Sequence, residues 1–316
     1  MKLLILGGTS FVGRHITETA VKQGHDITLF NRGKSQPNAF PELRRITGDR
    51  RMDANKLAGE KWDAVIDVSA YSPADLEPVL RHVETDRYTF ISTISVYDDF
   101  SGGPAGEDAS LHKTRPDSDQ VTGETYGPLK IMCEELIRKE FGEKALVIRP
   151  GIVAGPFDPT DRFTYWAVKL AEKGTVIIPG SADRKVQWIA ARDLAQFTVT
   201  QTAAGTTGTF NVTADPVAMG EFVDALDTGG AEKIWVSDEA LKERNIQPFE
   251  IPLWIPVSPE YPEGFLLADN RRAKQAGLEF TPLAELAADT RKWFSEESRE
   301  LKTGLSDKQE SVLQKL

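Results

Sequence analysis

Short, unbroken apolar runs alternate with amphipathic stretches through the first half of the chain. Residues 3–6, 26–30, 45–48, 64–68, 88–92 and 145–149 read as strands, with helices over 11–23, around 74–82 and in the segment carrying Tyr126. A strand with one face in water alternates polar and apolar side chains. These runs do not, so helices must cover the sheet on both faces. Strand and helix in alternation predict a parallel, doubly wound α/β sheet.

After Pro150 the rhythm loosens, and Gly, Pro and aromatic residues gather in 156–166 and 248–261. Residues 1–150 are therefore expected to form one domain. Residues 151–316 are expected to form mainly a smaller mixed α/β lobe that binds substrate, with a strand or two returning to the sheet. The highly charged stretch 295–316 contains Ser306-Asp307-Lys308-Gln309, which has the form of a capping box. A solvated terminal helix is the expectation there, with a homodimer contact as the alternative.

Composition narrows the function classes. With 38 basic and 48 acidic residues the net charge is −10, which opposes a nucleic-acid-binding surface, and no nucleic-acid partner is expected. Arg44, Arg45, Arg50 and Arg51 cluster loosely and read as a solvated turn. The single cysteine, Cys133, excludes an internal disulfide, suits a reducing compartment and lies on an apolar helix face as packing. No apolar run approaches the ~18–20 residues of a membrane span, and the N-terminal run turns to glycine before a signal-peptide core develops. A cytoplasmic, soluble protein is expected, with no membrane partner and no metal.

The first strand runs directly into Gly7-Gly8-Thr9-Ser10-Phe11-Val12-Gly13 and then a helix. A helix N-terminus behind a tight turn aims amides and a positive dipole at a pyrophosphate. Gly7 permits the turn, and Gly13 lets the helix approach the sheet, as in dinucleotide-binding Rossmann domains. The middle glycine of the usual pattern is Ser10 here, whose hydroxyl can donate instead. The second strand ends in Asn31-Arg32 with no acid to bind ribose hydroxyls, whereas an arginine suits a 2′-phosphate. Arg32, with Arg14 reaching the same phosphate, predicts NADP in preference to NAD.

Tyr126 and Lys130 lie four residues apart, on one face of a helix. An ammonium beside a phenol favours the phenolate. Bringing a tyrosine from ~10 to ~7 takes roughly 4 kcal/mol, which one cation and a cationic cofactor ring can supply. Spacing alone does not choose the pair, because Tyr165 and Lys169 repeat it.

In order, the glycine turn, Phe90-Ile91-Ser92-Thr93-Ile94-Ser95-Val96-Tyr97, Tyr126-Gly-Pro-Leu-Lys130, Ile148-Arg149-Pro150-Gly151-Ile152, Val186-Gln187-Trp188-Ile189 and Gly208-Thr209-Phe210-Asn211-Val212 resemble the extended short-chain dehydrogenase/reductase superfamily, the NAD-dependent epimerase/dehydratase family. The resemblance runs nearly end to end. It implies that Thr93, four residues before Tyr97, hydrogen-bonds the reacting oxygen, that Tyr126 moves the proton, and that Lys130 holds the ribose and tunes the phenol. Ser95 is placed to assist. Gly7, Thr9, Ser10, Phe11, Val12, Gly13, Asn31, Arg32, Asp49, Ser69, Ala70 and Lys130 are the expected cofactor contacts. Tyr165 follows the sixth strand, outside the place of the catalytic helix, and reads as packing or a pocket wall.

The family's nucleotide-sugar enzymes usually carry Asn where Ile152 stands, to contact the substrate diphosphate. An apolar side chain cannot do so, which points to an oxidoreductase acting on the carbonyl or alcohol of another small molecule. The alternatives are a sugar-nucleotide epimerase or dehydratase, and a dinucleotide-binding protein with little catalysis, similar to plant chloroplast RNA-binding relatives. In the second lobe Arg162 is a candidate for a substrate carboxylate or phosphate, and Trp166 and Trp188 are candidates for an apolar pocket wall.

Overall fold

The structure is a computed structural model that describes residues 1–315. Among the described residues, nine strands of four or more residues and ten α-helices build the fold. The strands are β1 Lys2–Leu6, β2 Asp26–Asn31, β3 Arg44–Thr47, β4 Ala64–Asp67, β5 Tyr88–Ile91, β6 Ala145–Pro150, β7 Gly174–Pro179, β8 Gly208–Val212 and β9 Ala231–Val236. The helices are α1 Phe11–Lys22, α2 Pro73–Leu80, α3 Tyr126–Phe141, α4 Thr164–Lys169, α5 Ala191–Ala204, α6 Met219–Leu226, α7 Asp238–Glu243, α8 Arg271–Gln275, α9 Leu283–Glu297 and α10 Asp307–Leu313. Seven strands form one parallel sheet in the order β8-β6-β5-β4-β1-β2-β3.

The unbroken apolar strands are covered as their pattern requires. Leu3 and Ile5 of β1 pack with Ile16 and Ala20 of α1 and Leu194 and Phe197 of α5. Leu4 and Leu6 face the other way, among Leu76 and Val79 of α2 and Cys133 and Ile137 of α3. The period of two along the strand thus feeds two separate apolar layers. The strand order reverses between β4 and β1, the kind of position where doubly wound folds open a ligand crevice. No helix among the described residues is long and apolar enough to cross a membrane.

Beyond β6 a second lobe has its own apolar core, in which Trp166, Trp188, Trp254, Phe163 and Phe222 are buried beside the parallel pair β7 and β9. Helix α10 starts at the expected capping box, Ser306 with Gln309. It is not solvated, however. Leu313 is buried in the lobe core, and Glu310 pairs with Lys169 at 3.2 Å.

The arginine cluster is solvated at Arg44 and Arg51 but not at Arg50. Arg44 pairs with Glu60 and Arg51 with Asp75, while the Arg50 side chain is only 12% exposed. Arg50 donates to both Asp67 oxygens, at 2.9 and 2.6 Å, and Tyr88 Oη donates to the same carboxylate at 2.7 Å. Its partner lies in β4, so no local pattern announces the burial.

A second buried network ties α3 to the sheet. Glu134 accepts from Ser92 Oγ at 2.6 Å, Arg149 Nε and Nη2 at 2.9 and 2.7 Å, and Arg138 at 2.8 Å. Burial alone would raise this carboxyl, but Arg149, Arg138 and the Ser92 hydroxyl outweigh it and hold Glu134 below the ordinary glutamate range. A carboxyl lowered on folding contributes stability above its unfolded value that is lost as pH falls through its folded one. Glu134→Gln should therefore cost about 3–5 kcal/mol in urea unfolding at neutral pH, because it leaves Arg149 buried without its charge partner. The deficit should shrink as the medium is acidified below the ordinary glutamate range. Equal stability of the two proteins at neutral pH would contradict the assignment.

Candidate active site

A cleft of about 1980 Å³ runs from the glycine turn to the second lobe. At its phosphate end, Gly7 has φ 106°, a left-handed conformation that favours glycine. A Cβ on Gly13 would lie 2.7 Å from Gly8 N, so the helix can approach the turn only without one. Ser10 makes no side-chain cap bond, and the first turn of α1 contains no acid. The leading amides of α1 are thus left for an anion. These residues fit a dinucleotide pyrophosphate.

The other expected cofactor residues divide. Thr9, Ser10, Phe11, Val12, Arg32, Asp49 and Ser69 line the cleft. Thr9 Oγ1 donates to Ser35 O at 2.9 Å, and Ser69 Oγ donates to Leu6 O at 3.2 Å while accepting from Arg50 at 2.9 Å. Asn31 lines the cleft too, but its amide is spent on the turn: Nδ2 donates to Gly7 O at 2.9 Å and Oδ1 accepts from Gly33 N at 3.0 Å. Ala70 is buried outside the lining, and only its carbonyl contributes, by holding Lys130. Arg14 does not join Arg32. It pairs with Glu18 at 2.8 Å and stacks 4.0 Å from the Phe157 ring centre, outside the main cleft. The second cation at Arg32 is Lys34, also exposed and cleft-lining. Its position three residues past the end of β2 was the available signal.

At the reacting end, Tyr126 is the first residue of α3, with Thr93 and Ser95 beside it on the turn after β5. Thr93 Oγ1 donates to Ser95 Oγ at 3.2 Å and accepts from Ser95 N at 3.1 Å. Burial pushes the Tyr126 phenol up to about 12, with Tyr71 adding to the rise and the Thr93 hydroxyl and Arg162 opposing it. Lys130 does not supply the expected lowering. Its ammonium is turned into the sheet, donating to Ala70 O at 2.8 Å and Ile91 O at 2.6 Å, 4.3 Å from the Phe90 ring centre. Burial pushes that ammonium down to about 8. Arg162, the smallest of these influences on the phenol, lines the cleft as well.

Gly127 is a site residue that the sequence reading passed over. A Cβ there would lie 2.0 Å from the Ser95 carbonyl oxygen, so a missing side chain sets how closely Tyr126 approaches Thr93 and Ser95. Glycine weakens a helix by about 1 kcal/mol relative to alanine, and its presence in the first turn of α3 was the available clue.

The repeated spacing is packing. Tyr165 is 1% exposed with its hydroxyl unpartnered, against Gly304, and Lys169 is engaged by Glu310. Trp166 and Trp188 are not pocket walls. Trp166 is fully buried and donates to Pro252 O at 3.0 Å, and Trp188 packs 5.1 Å from the Phe222 ring centre in the lobe core. Cys133 is buried, and its thiol is pushed up to about 12, as suits an inert packing residue.

Fold and cleft together define a dinucleotide-binding α/β protein. The model of the NAD dependent epimerase/dehydratase family matches residues 3–213, and the chain belongs to that family. It is similar to the Arabidopsis thaliana chloroplast stem-loop binding protein of 41 kDa b, with 26% identity over 61% of this chain and 53% of that protein. It is also similar to UDP-glucose 4-epimerase of Lactobacillus helveticus (26% identity, 49% of this chain and 52% of the enzyme). For 2'-dehydrokanamycin reductase of Streptomyces kanamyceticus the identity is 27%, over 48% of this chain and 43% of the enzyme. The chain spans about half the length of these relatives. Among solved structures, Bordetella bronchiseptica WbmH with NAD+ has a TM-score of 0.68 at 19% identity, covering 94% of this chain and 99% of that one. UDP-glucuronic acid 4-epimerase of Bacillus cereus with NAD has a TM-score of 0.66 at 19% identity, covering 94% of this chain and 98% of its own. At such identities these structures show the fold.

The close approach at Gly127 can be tested directly. Gly127→Ala should lower unfolding stability by about 1–3 kcal/mol through overpacking, despite alanine's better helix propensity. A neutral or stabilising result in denaturant unfolding would remove Gly127 from the account.

Proposed function

We propose that the protein moves hydride between a nicotinamide cofactor, NADP in preference to NAD, and the carbonyl or secondary alcohol of a small molecule. The observation that carries this reading is a single cleft joining uncapped helix amides at one end to the hydroxyls of Thr93 and Tyr126 at the other. The bound cofactor would supply the hydride donor or acceptor. Gly7, Thr9, Ser10, Phe11, Val12 and Gly13 would hold its phosphates, Asp49 and Ser69 would flank it, and Arg32 with Lys34 would take a 2′-phosphate.

In this reading Thr93 and Tyr126 hold the substrate oxygen. A phenol pushed up to about 12 is protonated at neutral pH and is poised to donate. Carbonyl reduction needs a donor, because hydride arrival leaves an alkoxide, a stronger base than a phenolate. Lys130 uses two of its three donors on Ala70 and Ile91, which leaves one for a ribose hydroxyl. Ile152 lines the cleft and presents no polar group to a substrate diphosphate, which favours a reductase over a sugar-nucleotide enzyme.

The second reading, an epimerase or dehydratase that regenerates its cofactor, is favoured by the name of the Lactobacillus helveticus relative and uses the same residues. Stem-loop binding, named for the chloroplast relative, finds little support in a net charge of −10.

Turnover is to be found by following NADPH depletion across a panel of aldehydes and ketones. Tyr126→Phe should retain NADPH binding and lose about 10²–10⁴-fold in kcat. Full activity in that variant would refute the assignment of the proton donor. Arg32→Ala should weaken NADPH by about 10–100-fold, the worth of one charge-assisted hydrogen bond, and leave NADH unchanged in a fluorescence titration. Tighter binding of NADH than NADPH by the unaltered protein would overturn the NADP preference.

A further inference from the structure

We infer that Arg162 is the recognition site for an oxyanion carried by the substrate, a carboxylate or phosphoryl group close to the oxygen that Tyr126 protonates. This rests on the hydride-transfer reading of the same cleft and names the class of molecule it takes.

The argument begins with how the guanidinium is held. Arg162 Nε donates to Thr160 Oγ1 at 3.1 Å, and that hydroxyl donates to Asp158 Oδ1 at 2.6 Å. Asp158 Oδ1 also accepts from Thr160 N at 2.8 Å, and Asp158 is fully buried. On the other side Asp161, also fully buried, receives both Arg299 Nη groups at 2.6 Å and the Lys302 backbone N–H at 3.0 Å. The loop is therefore clamped on both sides of Arg162, with the C-terminal segment as one jaw.

This clamp fixes Nε and leaves the fork open. Among the described residues, neither Nη of Arg162 has a hydrogen-bond or ion-pair partner. Two parallel N–H donors on a rigid planar group match the two oxygens of a carboxylate or phosphoryl group. The guanidinium lines the same cleft as Thr93, Ser95 and Tyr126, and its charge opposes the rise of the Tyr126 phenol. The cleft lining also includes the exposed Phe249 ring, with Tyr261 and Phe265, surfaces suited to an apolar or aromatic body. An anionic head on an apolar body near a reducible carbonyl is the substrate class these surfaces fit.

The test is calorimetric titration of the NADP+-saturated protein with phenylglyoxylate, its neutral methyl ester, inorganic phosphate and uridine diphosphate. The expected result is that at least one anion binds at least tenfold more tightly than the ester. Arg162→Gln should lose that margin by about 10–100-fold, and Arg162→Lys should restore part of it. Arg162-dependent binding of phenylglyoxylate assigns a carboxylate. Arg162-dependent binding of phosphate or uridine diphosphate assigns a phosphoryl group. If no anion binds, or if binding survives Arg162→Gln, the inference is wrong. Retained NADPH affinity in Arg162→Gln shows that the variant is folded. The hydride-transfer reading fails on a different observation, conversion of a substrate with the hydride label still on the cofactor.

Discussion

Glu134, fully buried eight residues after Tyr126, fixes the geometry of the reacting end. Four hydrogen bonds converge on it, from Ser92 beside Thr93, from Arg149 at two nitrogens and from Arg138. Arg149 continues the chain to Tyr97 Oη at 3.0 Å, and Tyr97 donates to Asn211 Oδ1 at 2.6 Å on β8. One connected polar network thus joins α3, the turn after β5, β6 and β8. A buried pair of this kind is weak evidence for net stability, since its desolvation cost offsets the attraction. Its consequence is placement: α3 cannot slide or rotate without stranding charge, so Tyr126 keeps its distance from Thr93. The bare backbone at Gly127 then sets how close that distance is.

The same logic governs the cofactor side. Arg50, Asp67 and Tyr88 form a second buried network behind Ser69, where the sheet order reverses. Between the two networks lies Lys130, drawn down by two carbonyls rather than up to the phenol. The phenol is left in a poorly solvated setting that favours its neutral form, which suits donation more than abstraction.

The six sheet strands read from sequence were legible because short apolar runs without alternation recur between turn residues, and the placement of Tyr126 in the cleft and of Tyr165 in the lobe core was legible from order along the sheet. What escaped was non-local. Arg50 resembles any turn arginine until Asp67, in another strand, is seen to accept it. Trp166 and Trp188 resemble pocket walls because an irregular lobe has no periodicity to tell a core ring from a lining one. Arg14 was expected at the 2′-phosphate, but one helical turn on, Glu18 was already its partner. The capping box at Ser306 correctly marked a helix start and said nothing of where Leu313 would be buried.

The central claim is that this cleft delivers hydride to an external carbonyl. The most direct measurement is the fate of the label when the protein turns over deuterated NADPH with a carbonyl substrate, read by mass spectrometry of the product. The account predicts one deuterium on the carbinol carbon of the released alcohol, with NADP+ formed in equal amount. Conversion of the substrate to a stereoisomer or a dehydrated product, with the label still on the cofactor, would contradict it.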